Sequence, residues 1–215
     1  MTSNNPPLIA HIVYRFDVGG LENGVVNLIN RIPEDRYRHA IISLTDATEF
    51  RNRISKPNVE VYCLHKQPGQ DPAYLWRLWK LLRRLQPGIT HTRNLAALET
   101  VFVALLAGVR RRVHSEHGWG MGDLHGTNRK YRMLRHMMSK LVHRYIGLSK
   151  HITQYLQQDV GISESKLTQL YNGVDAARFT TKERSEATQD LLPAGFTQRG
   201  FTKLRHTLLG LGLAR

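Results

Sequence analysis

Cysteine is almost absent from this 215-residue sequence, which contains only Cys63. An internal disulfide and a CxxC metal or redox motif are therefore excluded, and a reducing compartment is expected. Long apolar runs are missing as well, because the longest spans nine residues, Val101–Val109, whereas a membrane-spanning helix needs about 20. The first seven residues lack the basic and apolar regions of a signal peptide. The sequence therefore predicts a cytoplasmic protein.

Acidic residues are scarce, with 17 Asp and Glu against 31 Lys and Arg and a net charge of +14. Such an excess favours an anionic partner, which could be a phosphate-bearing substrate, an acidic membrane surface or nucleic acid. Nucleic acid is disfavoured because no helix-turn-helix, RRM, KH or zinc-finger signature is present. D-x-D and H-E-x-x-H motifs are also missing, so no metal is expected, and the missing GxGxxG disfavours a dinucleotide.

Apolar patterning shows strands that alternate with helices. Short connections between such elements predict a parallel sheet covered by helices on both faces, which is a doubly wound, Rossmann-like α/β domain. Ligands of such sheets bind at the carboxyl ends of the strands. The predicted strands are 8–14, 39–45, 59–64, 89–92, 112–116, 144–149 and 167–171, and the predicted helices are 21–32, 73–86, 95–107, 128–142 and 149–159.

The pattern fades near the C-terminus. Residues 180–215 contain no convincing strand, and no acidic residue follows Asp190. We expect one domain over residues 1–179, followed by a linker and an irregular basic tail over 180–215.

Three predicted loops follow strands and could carry chemistry. The first, Asp17 to Glu22, contains Gly19 and Gly20 directly before a helix, so backbone N–H groups could meet an anion; the alternative is a tight turn that needs positive φ. The second, His114 to Gly120, places His117 at a strand end, where it could titrate near neutrality; the alternative is a hydrogen-bonded polar turn. The third contains Asn172 and Gly173, which by themselves indicate only a turn.

The helix that starts near Asn128 is amphipathic and basic. Helical spacing places Arg129, Arg132 and Lys140 on one face, with two methionines, Met133 and Met137, beside them. This face is either solvated or docks on anionic lipid.

The order of these motifs resembles the N-terminal domain of a GT-B glycosyltransferase of family 4. The motifs are D-V-G-G-L-E, S-E-H-G-W, N-R-K-Y-R-x-L-R, H-R-Y-I-G-L-S and Y-N-G-V-D. The likeness runs from about Leu8 to Phe179 and is greatest with the subgroup found in PEP-CTERM/exosortase exopolysaccharide loci.

That resemblance implies a retaining transferase that moves a sugar from a nucleotide-sugar to a glycan or a lipid-linked acceptor, without a metal or other cofactor. It implies that Gly19, Gly20 and Glu22 lie near the donor phosphates and that His117 approaches the transferred sugar. Other residues are implied by position: Arg93, Asn94, Glu116 and Gly118 on the acceptor side, Asn172, Gly173 and Asp175 in the interdomain linker, and Arg129, Arg132 and Lys140 on a membrane-docking helix.

The sequence departs from the family after residue 179. Family members continue into a second domain that holds the donor through an E-x7-E motif, and no Glu follows Glu186 here. We therefore expect a truncated chain without activity of its own. The alternatives are a basic nucleic-acid-binding protein and a noncatalytic protein that docks on the inner face of the cytoplasmic membrane.

Overall fold

The computed structural model describes residues 5–119, 123 and 126–171, which lie in one compact unit, Met1–Gly173. Seven strands form a single sheet in which every neighbouring pair is parallel, in the order β3-β2-β1-β4-β5-β6-β7. The predicted Rossmann-like doubly wound fold is therefore confirmed. The strands are β1 Leu8–Val13, β2 Arg38–Ser43, β3 Glu60–Cys63, β4 Ile89–Arg93, β5 Arg111–Glu116, β6 Arg144–Gly147 and β7 Leu167–Gln169.

Six α-helices connect these strands and divide unevenly between the two faces of the sheet. They are α1 Gly20–Arg31, α2 Ala73–Leu85, α3 Asn94–Leu98, α4 Thr100–Leu106, α5 Arg129–Ser139 and α6 Lys150–Gln158, and 3₁₀ turns span Glu49–Arg53 and Glu164–Lys166. Among the described residues, no helix is long and apolar enough to cross a membrane.

The direction in which the chain moves across the sheet explains the uneven division. From β1 to β3 the chain moves one way, and from β4 to β7 it moves the other way. Because parallel crossovers are right-handed, the two directions place their helices on opposite faces. Val13 and Ile41 accordingly pack with Ile29 of α1, whereas Ile12 and Ile42 pack against α2 and α4. Among the described helices, only α1 packs on the face opposite α2–α6, and none of them covers β4–β7 on that face.

Helix ends follow local chemistry and correct two predicted boundaries. The helix predicted over 95–107 is divided into α3 and α4, and the Thr100 hydroxyl donates to the Ala97 carbonyl where they meet. The helix predicted to reach residue 142 ends at Ser139, whose hydroxyl donates to the His136 carbonyl. Ser149 accepts from the Ile152 N–H, as expected for a helix N-cap.

Candidate functional site

A cavity of about 380 Å³ lies beside α1 at the open face of the sheet. Its wall includes apolar side chains from α1, β6 and the chain after β7, and its polar part comes from the carboxyl ends of β4 and β5. No Asp or Glu is among the lining residues that the structure describes. The lining consists of Gly24, Asn27, Leu28, Arg31, Ile32, Pro33, His91, Arg93, Ser115, His117, Ile146, Leu148, Leu170 and Tyr171.

A continuous row of hydrogen-bonding groups runs through the polar part of the cavity. Arg93 Nη2 lies 3.2 Å from Nδ1 of His91, and His91 Nε2 lies 3.1 Å from Ser115 Oγ. Ser115 Oγ in turn lies 3.0 Å from His117 Nε2. The four side chains share one side of the sheet because His91 and Arg93 are two residues apart on β4, as are Ser115 and His117 at the end of β5.

Arg93 brings a buried positive charge to this row. Its side chain is only 4% exposed, and its hydrogen bonds reach the His91 carbonyl and the Nδ1 atoms of His91 and His11. None of these partners is a carboxylate. Burial lowers the pKa of Arg93 to about 9, while the charge of nearby Glu22 acts in the opposite direction. Arg93 is therefore still protonated at neutral pH, and the cavity has a positive floor.

His117 lies at the opposite end of the row. Its backbone N–H donates to Asn94 Oδ1 at 2.8 Å, and its ring Nδ1 is buried without a hydrogen-bond partner among the described residues. Burial, followed by the positive charge of Arg93, lowers the pKa of His117 to about 4. The expectation that His117 titrates near neutrality is therefore wrong, and the ring is neutral at pH 7.

The glycine loop adopts no left-handed turn. Gly19 has an extended φ of −169°, and Gly20 begins α1 with no atom within 4 Å of the position a Cβ would take. The alternative that positive φ requires these glycines is therefore wrong. Glu22 turns its carboxylate back against Gly19 at the start of α1, where burial raises its pKa.

The predicted acceptor-side residues separate into two environments. Arg93 lines the cavity, and Asn94 holds the His117 backbone in place. Glu116 instead lies on the opposite face of the sheet, 2% exposed, where its Oε1 accepts from Arg135 Nε at 2.8 Å. Burial alone would raise the Glu116 pKa, but His114 and Arg135 lower it overall. Glu116 therefore anchors α5 and does not line the cavity, and Gly118 is not among the lining residues either.

The basic face of α5 is narrower than predicted. Arg129 and Lys140 are exposed, and so are Met133 and Met137, at 62% and 53%. Arg132 is only partly exposed, however, with 33% of its side chain accessible, and its Nε donates to the Gly126 carbonyl at 2.7 Å. Arg132 is therefore held by a loop carbonyl and contributes less to the exposed basic face than Arg129 and Lys140.

Three predicted linker residues, Asn172, Gly173 and Asp175, lie outside the described residues, as does the predicted tail over 180–215. Within the described part of the chain, no group of three or more His, Cys, Asp or Glu side chains is placed to hold a metal ion.

Sequence reasoning missed His91, Ser115 and His11 as members of the site. Their spacing contained a usable signal, because residues two apart at the end of a strand lie on the same side of the sheet. The mutual approach of β1, β4 and β5 was needed to bring the three side chains together, and the sequence does not state strand order.

Several solved structures have a similar fold. Alr3699/HepE of Anabaena, in a complex with UDP and glucose, matches 86% of this chain and 50% of its own, with a TM-score of 0.66 and 15% identity. A glycosyltransferase from Rickettsia africae matches 98% of this chain and 51% of its own, with a TM-score of 0.65 and 17% identity. A protein from Listeria monocytogenes described as a UDP-N-acetylglucosamine 2-epimerase matches 75% of this chain and 44% of its own, with a TM-score of 0.53 and 12% identity. At these identities the likeness shows the fold alone, and the chain spans about half the length of these structures.

The sequence itself identifies the family. No curated protein matches the chain. The sequence profile of Glycosyltransferase Family 4, however, matches residues 18–178, which is more than half of the chain and includes α1, the cavity and α5. The chain therefore belongs to glycosyltransferase family 4.

Proposed function

We propose that this chain forms the acceptor-side half of a retaining glycosyltransferase that uses a nucleotide-sugar. The observation that carries the proposal is the cavity at the carboxyl ends of β4 and β5, with Arg93 and His117 in its lining. The solved complex of Alr3699/HepE with UDP-glucose supports a UDP-sugar as the donor. A glycan or lipid-linked acceptor in exopolysaccharide synthesis, at PEP-CTERM loci, rests on the motif resemblance.

The chemistry of this half-site is electrostatic. As the donor's glycosidic bond breaks, negative charge grows on the leaving diphosphate, and fixed N–H groups stabilise such charge. The N-terminus of α1 at Gly19 and Gly20 offers such groups, once the Glu22 carboxylate moves aside. His117 positions a sugar oxygen, which lowers the barrier by holding reacting groups in place. The proposal includes no metal and no further cofactor.

A donor-binding domain must complete this site. The chain alone should bind UDP-glucose only weakly, because the E-x7-E carboxylates implied by the family resemblance are not in the sequence, and each charge-assisted hydrogen bond is worth about 1.5–3 kcal/mol. Calorimetry should detect no micromolar binding to the 215-residue chain. The chain joined to a donor-binding domain of family 4 should transfer sugar. Micromolar binding by the chain alone, or no transfer by the joined protein with any UDP-sugar, would contradict the proposal.

Membrane docking through α5 is a second part of the proposal. Met133 and Met137 expose apolar surface on the same side of the helix as Arg129, Lys130 and Lys140. Basic side chains attract anionic headgroups at about 1 kcal/mol each, and the methionines can enter the headgroup region. A lipid-linked acceptor would then be presented at the inner face of the cytoplasmic membrane.

Charge reversal tests this docking. Reversing Arg129, Lys130 and Lys140 to Glu should release the chain from vesicles of anionic phospholipid. The matched control reverses three arginines that are exposed outside α5 and change the net charge equally, Arg36, Arg51 and Arg110. Equal loss in both variants would show nonspecific attraction and contradict docking through α5. Tighter binding to DNA than to vesicles across a salt series would favour the nucleic-acid alternative.

A further inference from the structure

The row of groups between Arg93 and His117 has a fixed hydrogen-bond direction. A guanidinium can only donate, so Arg93 Nη2 donates to Nδ1 of His91. Burial holds the pKa of His91 well below its usual value, and the ring is therefore neutral. A neutral imidazole whose Nδ1 accepts must carry its proton on Nε2. His91 Nε2 thus donates to Ser115 Oγ.

The same reasoning continues to His117. Ser115 is buried, and its Oγ has two hydrogen-bond partners among the described residues, His91 and His117. His91 donates, so His117 Nε2, at 3.0 Å, is the acceptor that satisfies the hydroxyl proton. His117 Nε2 is then an acceptor, and the proton of this neutral ring resides on Nδ1. That nitrogen is the buried one without a partner among the described residues.

A second branch that starts at Arg93 follows the same rule. Arg93 Nη2 lies 3.2 Å from His11 Nδ1, and His11 Nε2 lies 3.0 Å from His39 Nδ1. Since His11 Nδ1 accepts from Arg93, His11 Nε2 carries the proton and donates it to His39 Nδ1. The proton of the neutral His39 ring is then on Nε2, which is also buried without a partner among the described residues. In both branches, the direction of donation therefore places the proton on the ring nitrogen that has no partner among the described residues.

We propose that the row from Arg93 through His91 to Ser115 fixes His117 as an Nδ1–H donor, with Ser115 as the positioning residue that contacts His117. The cavity then presents this N–H to an electron-rich ligand oxygen. The oxygen belongs to a sugar hydroxyl or a phosphate. A buried N–H without an acceptor is costly, and a ligand oxygen removes that cost when it binds. His117 therefore acts as a hydrogen-bond donor at Nδ1 and does not accept a proton there. The identity of the ligand rests on the proposed function, whereas the tautomer does not.

The tautomer can be measured in the 215-residue chain by long-range ¹H–¹⁵N NMR of the imidazole rings at pH 7, with His117→Gln to assign the signals. We expect a protonated Nδ1 and an unprotonated Nε2 at His117. Ser115→Ala, at a buried position with little change in volume, removes the donor and should move the proton toward Nε2, the form that free histidine favours in water. Ser115→Thr should keep the Nδ1–H form. Thr92→Val removes a hydroxyl 2.7 Å from His114 Nδ1 on the opposite face and serves as the matched control.

An Nε2–H form in the wild-type chain, or no change in Ser115→Ala, would overturn the proposal. In the chain joined to a donor-binding domain, Ser115→Ala should also lower kcat about tenfold with little change in the donor KM, the loss expected for one hydrogen bond. Ser115→Thr, which keeps the hydroxyl, should have a kcat close to that of the wild-type protein. If the joined protein transfers no sugar while the NMR result holds, the proposed function fails and the tautomer assignment stands. If transfer is normal and kcat of Ser115→Ala is unchanged, the positioning role fails.

Discussion

Arg93 keeps its charge inside the sheet because its donors reach imidazole nitrogens and a backbone carbonyl. A buried charge usually has an ionised partner, since desolvation costs several kcal/mol per ion. Here the nearest acidic influence is Glu22, which affects the Arg93 pKa but forms no hydrogen bond with it in the described structure. Among the described residues that line the cavity, the charged side chains are Arg31 and Arg93, and this lining suits a ligand that carries phosphate.

A substitution at Gly20 tests whether the glycine loop needs its glycine for folding. Gly20→Ala should leave the melting temperature unchanged or slightly higher, because the added Cβ meets open space and Ala is favoured over Gly in a helix by up to about 1 kcal/mol. The control is Gly126→Ala, where φ is +65° and a Cβ would collide with Trp119 and Tyr155. That variant should lose more than about 1 kcal/mol. Thermal unfolding distinguishes the two, and an equal loss in both would show that the loop needs its glycine for folding.

β4 and β5 supply the polar lining of the cavity, whereas α5 carries an exposed basic surface on the opposite face of the sheet. α5 is fixed to the sheet by Arg135, which is 2% exposed and pairs with Glu116 of β5. This pair sets which side of α5 faces outward, and therefore which basic residues are exposed. Helical periodicity predicted an amphipathic helix correctly, but it could not show that Arg132 bonds to the Gly126 carbonyl. An arginine on a polar face looks the same in sequence whether it faces solvent or a loop.

Removing Arg135 should weaken the fold strongly. Arg135→Met leaves the Glu116 carboxylate buried without its partner, and such a loss costs about 3–5 kcal/mol. Adding Glu116→Gln should recover much of this loss. Arg129→Met on the exposed side of the same helix should change stability by no more than about 0.5 kcal/mol. Urea denaturation measures all three, and equal effects of Arg135→Met and Arg129→Met would contradict the role of the pair.

Acid should destabilise the strands that carry the buried histidines. Burial lowers the pKa of His11 and His91 well below 6.5, and it is the main reason why His39 and His117 have pKa values of about 4. Between these values and 6.5 the unfolded chain binds more protons than the folded chain, so the free energy of unfolding rises with pH. The contribution of these histidines to the free energy of unfolding should thus be fully present above pH 7 and be lost as the pH falls through 6.5.

Urea titrations at pH 5, 6 and 7 check this dependence. His39→Gln should reduce the change of the free energy of unfolding with pH, because it removes one buried group that must stay neutral in the folded chain. The matched control, His151→Gln at an exposed position, should leave it unchanged. Equal or greater stability at pH 5 than at pH 7 would show that these histidines are not held neutral by burial.

For the molecule as a whole, strand-helix alternation was enough to predict the parallel sheet, and motif order was enough to predict the family. The strand ends also directed attention to His117, which lies in the lining of the cavity. Glu116 was misassigned to the acceptor side because adjacent residues on a strand point to opposite faces, and the sequence did not show which face was open. The open face follows from strand order, since β1 lies between β2 and β4. Long-range pairing of this kind is not written in any local pattern.

In the proposed function, His117 acts on the sugar during transfer, within the cavity that this chain forms. This role is tested most directly by steady-state kinetics of the chain joined to a donor-binding domain, with His117→Ala compared with the exposed control His151→Ala. We expect the kcat of His117→Ala to fall by about 10²–10³, as when one preorganised donor is lost, while the acceptor KM changes little. A kcat equal to that of His151→Ala, with the change confined to KM, would contradict this role.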